Sequence, residues 1–398
     1  MRMKKIGAIC IVTLMVLLMA IGCSSEGTKP ANNDSSQEAN SQSKESNLET
    51  DDAQTKIEFK DLLGNEIVMD RPAERVFISM YFESLFAVGG PDILDRVASM
   101  SLGEWSDFFR SSYLAYTEKV PKLKEVHDTG SIYGNTFSME SLLQSNPDIV
   151  IVAPFQYKTL GENVKKLESL GIPVVVIDYT SQTLEKHIES TMILGKILGE
   201  EERATKLAEE YKAAIEDVKR RVASIKDRKT VYVELGNKGA NEIGNSYGNY
   251  MWGNIIETAG GLNIAKDKVE TYGPLSPEYI LSSNPDVIFF SGVQMTNDSD
   301  ERIKLGFNIK PEETYSRIQP YLKRNGWDKI AAVKDNEVYA MDHGGLRNLY
   351  DFVYYQYIGK MLYPEAFEDV DPVANHKEYY KKYLPLEAEG TFMTRMGE

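Results

Sequence analysis

Gly244-Asn-Ser246-Tyr-Gly248 has the Gly-x-Ser-x-Gly spacing of a nucleophile elbow, and His343 follows it in the chain as a general base would. Elbow chemistry needs a strand directly before the serine and a helix directly after it, so that Oγ is thrust out of a sharp turn. Here Lys238–Glu242 precedes the pentad and is polar and loop-like. The pentad therefore reads as a glycine-rich binding loop, with a secreted serine hydrolase using Ser246 as the alternative of another class. The four histidines, His127, His187, His343 and His376, stand at no metal-ligand spacing. A bare-ion site built from distant histidines and carboxylates stays open. The sequence carries no phosphate loop and no dinucleotide fingerprint.

Binding chemistry is better represented. The chain has 23 tyrosines. Tyr81, Tyr133, Tyr157, Tyr179, Tyr247, Tyr250 and Tyr272 fall at or just past predicted strand ends, or in glycine-rich loops. In parallel α/β sheets that edge is where ligands bind. A phenol there stacks, donates a hydrogen bond or, ionised, binds a hard cation. The plainer reading is an ordinary loop tyrosine. Trp105 and Trp252 lie in the same aromatic stretches and join the candidate ligand-binding set. Arg110, in the run Trp105–Tyr116, and Arg347, after Met341-Asp-His343-Gly-Gly345, suit carboxylates of an anionic ligand or chelate through bidentate hydrogen bonds. As surface residues they would form ordinary salt bridges. His343 completes the set. No residue is assigned a catalytic or metal-ligating role.

The elements that must position these residues are organised around Thr183–Asp227. Leu184, Ile188 and Thr191 share one helical face, as do Ala204, Leu207, Tyr211, Ile215, Val218, Val222 and Ile225. Gly199 followed by three glutamates marks one helix stopping and another starting. A helix over Glu201–Lys226 would be about 39 Å long, a stiff strut between two halves. Those halves repeat each other at one constant offset. Ser138-Met-Glu140-Ser-Leu142-Leu143-Gln-Ser-Asn146-Pro147-Asp148-Ile-Val-Ile-Val152 matches Ser276-Pro-Glu278-Tyr-Ile280-Leu281-Ser-Ser-Asn284-Pro285-Asp286-Val-Ile-Phe-Phe290. Each reads as a serine N-cap, a first-turn glutamate, a short helix, a turn and a buried strand. Uniformly apolar strands joined by helices predict parallel sheets. The expected fold is therefore α/β, two Rossmann-like lobes with parallel sheets joined by a long rigid helix. Glu140 and Glu278 become two equivalent carboxylates, one per lobe, suited to two basic sites on a symmetric partner; the plainer reading is a helix-dipole acid. Gln294–Tyr315 reads as a polar surface excursion.

A net charge of −15 argues against nucleic acid and anionic membrane surfaces as partners. Residues 1–22 read as a signal peptide, with Arg2, Lys4 and Lys5 before the apolar run Ile6–Ile21. Ala20-Ile-Gly-Cys23 resembles a bacterial lipobox, with Ala20 where leucine is usual, so Cys23 is expected to carry the lipid. Cys10 lies in the signal segment, which leaves no intrachain disulfide in the mature chain. The stretch 23–56 reads as lipidated Cys and flexible tether. The N-terminal lobe is then expected over 57–182, connecting helices over 183–228 and the C-terminal lobe over 229–398.

The Ser-x-Glu…Pro-Asp phrase in both lobes, Gly171-Ile-Pro173-Val and Trp327…Ala332-Val-Lys-Asp335…Val338-Tyr339 resemble the helical-backbone (class III) substrate-binding proteins of ABC importers for iron–siderophore complexes, haem and cobalamin. The resemblance covers about Ile57 to Leu384. It implies a non-catalytic receptor, lipid-anchored on the outer face of the cell membrane, expected to be a monomer. Its ligand sits between the lobes and closure is modest. The resemblance also implies that Glu140 and Glu278 meet arginines on the two subunits of a permease dimer that works with ATPase subunits. A small-molecule metal chelate is the expected cargo, a ferric (Fe(III)) siderophore before haem or a corrinoid such as cobalamin, with no cofactor. The family's ligand contacts follow no fixed motif, so the cleft residues above come from position and chemistry alone.

Overall fold

The computed structural model describes residues 56–296 and 301–397. The expected signal segment, Cys23 and the tether up to Thr55 lie outside the described residues. A hairpin, β1 (Ile57–Lys60) and β2 (Glu66–Met69), opens the fold. Asp61 ties its turn, accepting from the Leu63 and Asn65 amides at 2.9 Å, and also accepts from the Val176 amide of the adjoining sheet at 3.0 Å.

Two five-stranded sheets follow. The first contains β3 (Val76–Ile78), β4 (Val97–Met100), β5 (His127–Asp128), β6 (Ile149–Val152) and β7 (Val174–Val176), in the order β5-β4-β3-β6-β7, all parallel. The second contains β8 (Thr230–Leu235), β10 (Leu262–Asn263), β12 (Val287–Gly292), β14 (Val338–Asp342) and β16 (Met393–Arg395), in the order β10-β8-β12-β14-β16. Only β16 runs antiparallel, on the sheet edge. Two ribbons complete the second lobe: β9 (Ser246–Tyr247) with β11 (Tyr272–Gly273), and β13 (Gly306–Phe307) with β15 (Gly390–Thr391). Each main sheet reverses its winding direction once, next to β3 and β6 in one and β8 and β12 in the other. Crevices at such points, beyond the carboxyl ends of the strands, are where open α/β sheets take ligands.

The repeated phrase does the same work twice. Ser138 and Ser276 cap the helices Met139–Gln144 and Pro277–Ser283 by accepting from the Ser141 and Tyr279 amides. Asn146 and Asn284 take left-handed backbone at φ 48° and 43°, where asparagine is tolerated better than most residues. Asp148 accepts from the Glu74 and Arg75 amides and Asp286 from the Thr230 amide, so each pins the entrance of the first strand of its lobe's main sheet, β3 and β8.

Between the sheets run helices Leu184–Leu198 and Glu201–Val222, broken at Gly199, which is left-handed at φ 65°. The second spans 22 residues, about 33 Å, and so ends a turn earlier than its periodicity suggested. The strut is not the only link between the lobes. Asp351, ahead of helix Phe352–Leu362, accepts from His187 Nε2 at 3.1 Å, Tyr211 OH at 2.9 Å and Gln182 Nε2 at 2.8 Å. Glu83 in the first lobe accepts from Tyr350 OH at 2.8 Å and Tyr380 OH at 2.9 Å. One apolar cluster, including Leu85, Tyr116, Tyr211, Val233, Trp252 and Tyr354, runs continuously through both lobes.

The stretch Gln294–Tyr315 is not a polar surface excursion in its described part. Ile303, Leu305, Phe307 and Ile309 are buried, and helix Pro311–Leu322 begins within it. Those apolar residues alternate with Lys304, Gly306 and Asn308, a period-two pattern outweighed by the polar residues around it. The same stretch crosses to the first lobe. The Arg110 amide donates to the Gln294 carbonyl and the Thr296 amide to the Asp107 carbonyl, both at 2.9 Å.

Candidate functional site

The crevices of the two sheets face one another across a cavity of about 400 Å³. Residues just past strand ends from both sheets reach its wall: Met80 after β3, Phe155 after β6, Asn237 after β8, Val293 and Met295 after β12, and His343 and Arg347 after β14. The strands are apolar because both faces are covered, so polar function is displaced to the loops that leave them.

The first-lobe wall is mainly aromatic. Phe108 and Phe155 lie edge-on to Tyr133, with centroids 5.2 and 6.1 Å away. The Tyr133 side chain is 60% exposed, and its loop is held by Glu104, which accepts from the Tyr133 amide at 2.7 Å and from Gln156 Nε2 at 3.3 Å. Burial pushes the Glu104 carboxyl up, and the donors around it pull the other way. The second-lobe wall carries Tyr247, Tyr250 and Tyr272, the first two each with ring centroids 6.5 Å from that of Tyr272. Burial raises the phenols of Tyr247 and Tyr250, so they stand protonated as donors.

Arg347 and His343 are the charged and titratable groups of the second wall. Arg347 holds a left-handed backbone at φ 72°, rare for a residue with a side chain. Its Nη1 donates to the His343 carbonyl at 3.3 Å, and its guanidinium lies 5.4 Å from the centre of the Phe109 ring. Among the described residues no carboxylate lies within ion-pair distance of it. Burial lowers its affinity for the proton, while the neighbouring phenols act in the opposite direction. His343 is buried, and its Nδ1 stands 3.0 Å from Trp252 Nε1. Burial first and the Arg347 charge second hold His343 well below the usual imidazole range, so it is neutral at pH 7.

Of the residues expected to bind ligand, the structure brings together Tyr133, Tyr247, Tyr250, Tyr272, His343 and Arg347 on the cavity wall. Three others stand behind it. Tyr81 is buried with its OH 2.8 Å from Thr180 Oγ1. Trp105 stacks on Phe82 at 4.7 Å and donates to Ser112 Oγ. Trp252 is fully buried behind His343. The remaining three are elsewhere. Tyr157 packs on the outer core of the first lobe. Tyr179 is buried against the strut, its OH 3.0 Å from Thr191 Oγ1. Arg110 opens helix Arg110–Lys119, its guanidinium 6.0 Å from the centre of the Tyr113 ring. Large aromatic side chains near strand ends were taken by the core because burying them is worth more than exposing them to a half-wet cleft. Sequence reasoning missed Phe108, Phe109, Phe155, Met80 and Asn237. Phe155 follows β6 directly and Phe108-Phe109 lie in the aromatic run, so strand-end position applied to phenylalanine would have found them.

The glycine pentad has a packing explanation. A Cβ on Gly244 would meet the Leu235 carbonyl oxygen at 2.0 Å, and one on Gly248 the Val269 carbonyl oxygen at 2.1 Å. Ser246 is fully buried in β9, paired across to Gly273 rather than raised on an elbow, and the ring nitrogens of His343 face Trp252 and Arg347. Among the described residues no three His, Cys, Asp or Glu side chains cluster for a metal ion.

Residues 102–343 match the family model described as periplasmic binding protein, and the chain belongs to that family. It is similar to the TroA-like periplasmic binding protein FepB from Veillonella parvula, 32% identical, covering 86% of this chain and all of that one, with a TM-score of 0.80. It is 26% identical to the molybdate-binding protein MolA of Haemophilus influenzae over 67% of this chain and 75% of that one. The iron-uptake system-binding protein of Bacillus subtilis is 23% identical over 85% of this chain and 90% of its own. The protein is an extracytoplasmic substrate-binding protein of the ABC-importer type.

Proposed function

We propose that this protein captures a metal chelate, a ferric siderophore before any other, in the cleft between its lobes and delivers it to an ABC permease dimer. The observation that carries the reading is the cleft itself: a cavity of about 400 Å³ walled by aromatic rings, with a guanidinium lacking a carboxylate partner among the described residues. That volume is on the scale of a small organic ligand, larger than a single tetrahedral oxyanion requires. The cation and the phenol donors suit the anionic oxygens of a chelate. The iron-uptake relative, similar over most of its length, supports the same direction. Tyr133, Tyr247, Tyr250, Tyr272, His343 and Arg347 are the proposed contacts. Cys23 is proposed to carry the lipid that keeps the receptor at the membrane.

The test is a titration of the chain beginning after Cys23 with ferric catecholate, hydroxamate and carboxylate siderophores, haemin and cobalamin, following Trp and Tyr emission. Trp252 contacts His343 directly and is a built-in reporter. Saturable submicromolar quenching by one ferric class is expected. A response confined to haemin or cobalamin would transfer the cargo to that class.

Glu140 and Glu278 are exposed in the first turns of equivalent helices and are the proposed docking carboxylates. Exposed charges of this kind govern association more than affinity for the cargo. Reversing both to Lys is expected to abolish uptake with chelate affinity unchanged, and uptake surviving both changes removes their role.

A further inference from the structure

His343 and Arg347 present a hydrogen-bonding mismatch that a ligand oxygen resolves. The indole Nε1 of Trp252 carries a hydrogen and can only donate. It lies 3.0 Å from His343 Nδ1, which must therefore be the unprotonated, accepting nitrogen. A neutral imidazole has one N–H, so the proton is on Nε2. Nε2 in turn lies 3.2 Å from Arg347 Nη2, and a guanidinium also only donates. Two N–H groups thus meet with no acceptor between them. Among the described residues Nη2 has besides only a long sulfur contact, 3.9 Å to Met251 Sδ. Both residues line the cavity, and Arg347 is held there on left-handed backbone, a cost that persists where a site demands it.

We infer that an anionic oxygen of the cargo, from a carboxylate or other oxyanion group, seats between Arg347 Nη2 and His343 Nε2–H, with Trp252 fixing the histidine tautomer. The inference rests on the cleft being the cargo site and names the chemistry of the group it takes. It also assigns His343 a donor role rather than a metal-ligand role. Ligating a metal through Nε2 would move the proton to Nδ1, where it would collide with the Trp252 N–H. The cargo therefore reaches this corner with an uncoordinated or outward-facing oxygen.

The test uses protein labelled with ¹⁵N in its imidazole rings, the His343 signals being assigned by loss in His343→Gln. The ligand-free chain is expected to carry the His343 proton on Nε2; a proton on Nδ1 overturns the inference. Citrate, oxalate and molybdate are then titrated alongside the ferric siderophores. At least one of these probes should shift the Nε2–H resonance saturably, and none doing so overturns the inference. Arg347→Gln should weaken that probe by about 10- to 100-fold, the loss of a charged hydrogen bond, and should raise the melting temperature of the empty protein by removing a partly buried charge that has no carboxylate partner among the described residues. Arg347→Lys keeps the cation and should fall between, and it serves where the glutamine variant does not fold. Ferric siderophores binding equally to wild type and both Arg347 variants would overturn the seat and leave the chelate reading standing. Citrate, oxalate or molybdate binding through Arg347 while no ferric siderophore binds would establish the seat and remove the chelate reading.

Discussion

The back of the cleft and its second-lobe wall use the same kinds of side chain to opposite ends. At the back, Asp351 is surrounded by His187, Tyr211 and Gln182, and Glu83 by Tyr350, Tyr380 and Ser112. Each buried carboxylate takes donors from the other lobe or the strut, and Glu83 also takes Ser112 from its own lobe. On the wall, Arg347 and His343 are donors without an acceptor between them. Buried polar groups are normally satisfied, and a shortfall needs a reason. Matched donors and acceptors tie the two lobes and the strut together. In the seat proposed above, an oxygen of the cargo supplies the acceptor that Arg347 and His343 lack between them.

Asp351→Ala is expected to have the largest effect and to separate the back of the cleft from its wall. It strands three buried side-chain donors and the Asn348 amide and is expected to cost about 3–5 kcal/mol of stability, read as a shifted denaturation midpoint. Cargo affinity measured well below the melting temperature should change little. An affinity loss as large as the stability loss would mean that back and wall are one unit.

Asp342 lies between the two regions and supplies the next effect. Burial raises its carboxyl to about 7, Glu83 pushes in the same direction, and the Gly344 amide at 3.1 Å opposes them. Its folded-state value is raised, so the native state holds the proton more tightly than the unfolded chain. That contribution is fully present below about pH 4 and is lost as pH rises through about 7. Asp342→Asn should therefore stabilise the protein at pH 8 by on the order of 3 kcal/mol and flatten the stability slope between those limits. Equal slopes in both proteins would show that Asp342 is not buried as described. Glu83 is raised too, chiefly by burial, so some slope should remain.

The smallest effect tests the aromatic wall. Tyr133 is largely exposed, so Tyr133→Ala should leave stability within about 0.5 kcal/mol. It should weaken a chelate that stacks there by about 1 kcal/mol, measured by the same fluorescence titration. An unchanged affinity would confine recognition to the second lobe.

The repeat and the strut were legible because their signals are local. A serine, a glutamate and an Asn-Pro-Asp turn specify a helix start, its dipole partner and its end within a dozen residues. Ala204, Leu207, Tyr211, Ile215 and Val218 mark a buried stripe by period alone, and all are buried. The alternation Ile303, Leu305, Phe307, Ile309 was equally local and was masked by polar neighbours. The tyrosines were harder. Tyr179 and Tyr247 both follow or sit in short strands, yet one faces the strut and the other the cavity.

From its residues alone this chain determined two parallel-sheet lobes on a helical strut, with cavity-lining loops at the strand ends, because period, capping and turn chemistry act over short distances. Which aromatics line the cleft, and that Trp252 sets the proton on His343 opposite Arg347, was decided only by tertiary structure. Residues 91 apart in sequence meet at 3.0 Å there, and hydrogen-bond complementarity is a property of that meeting.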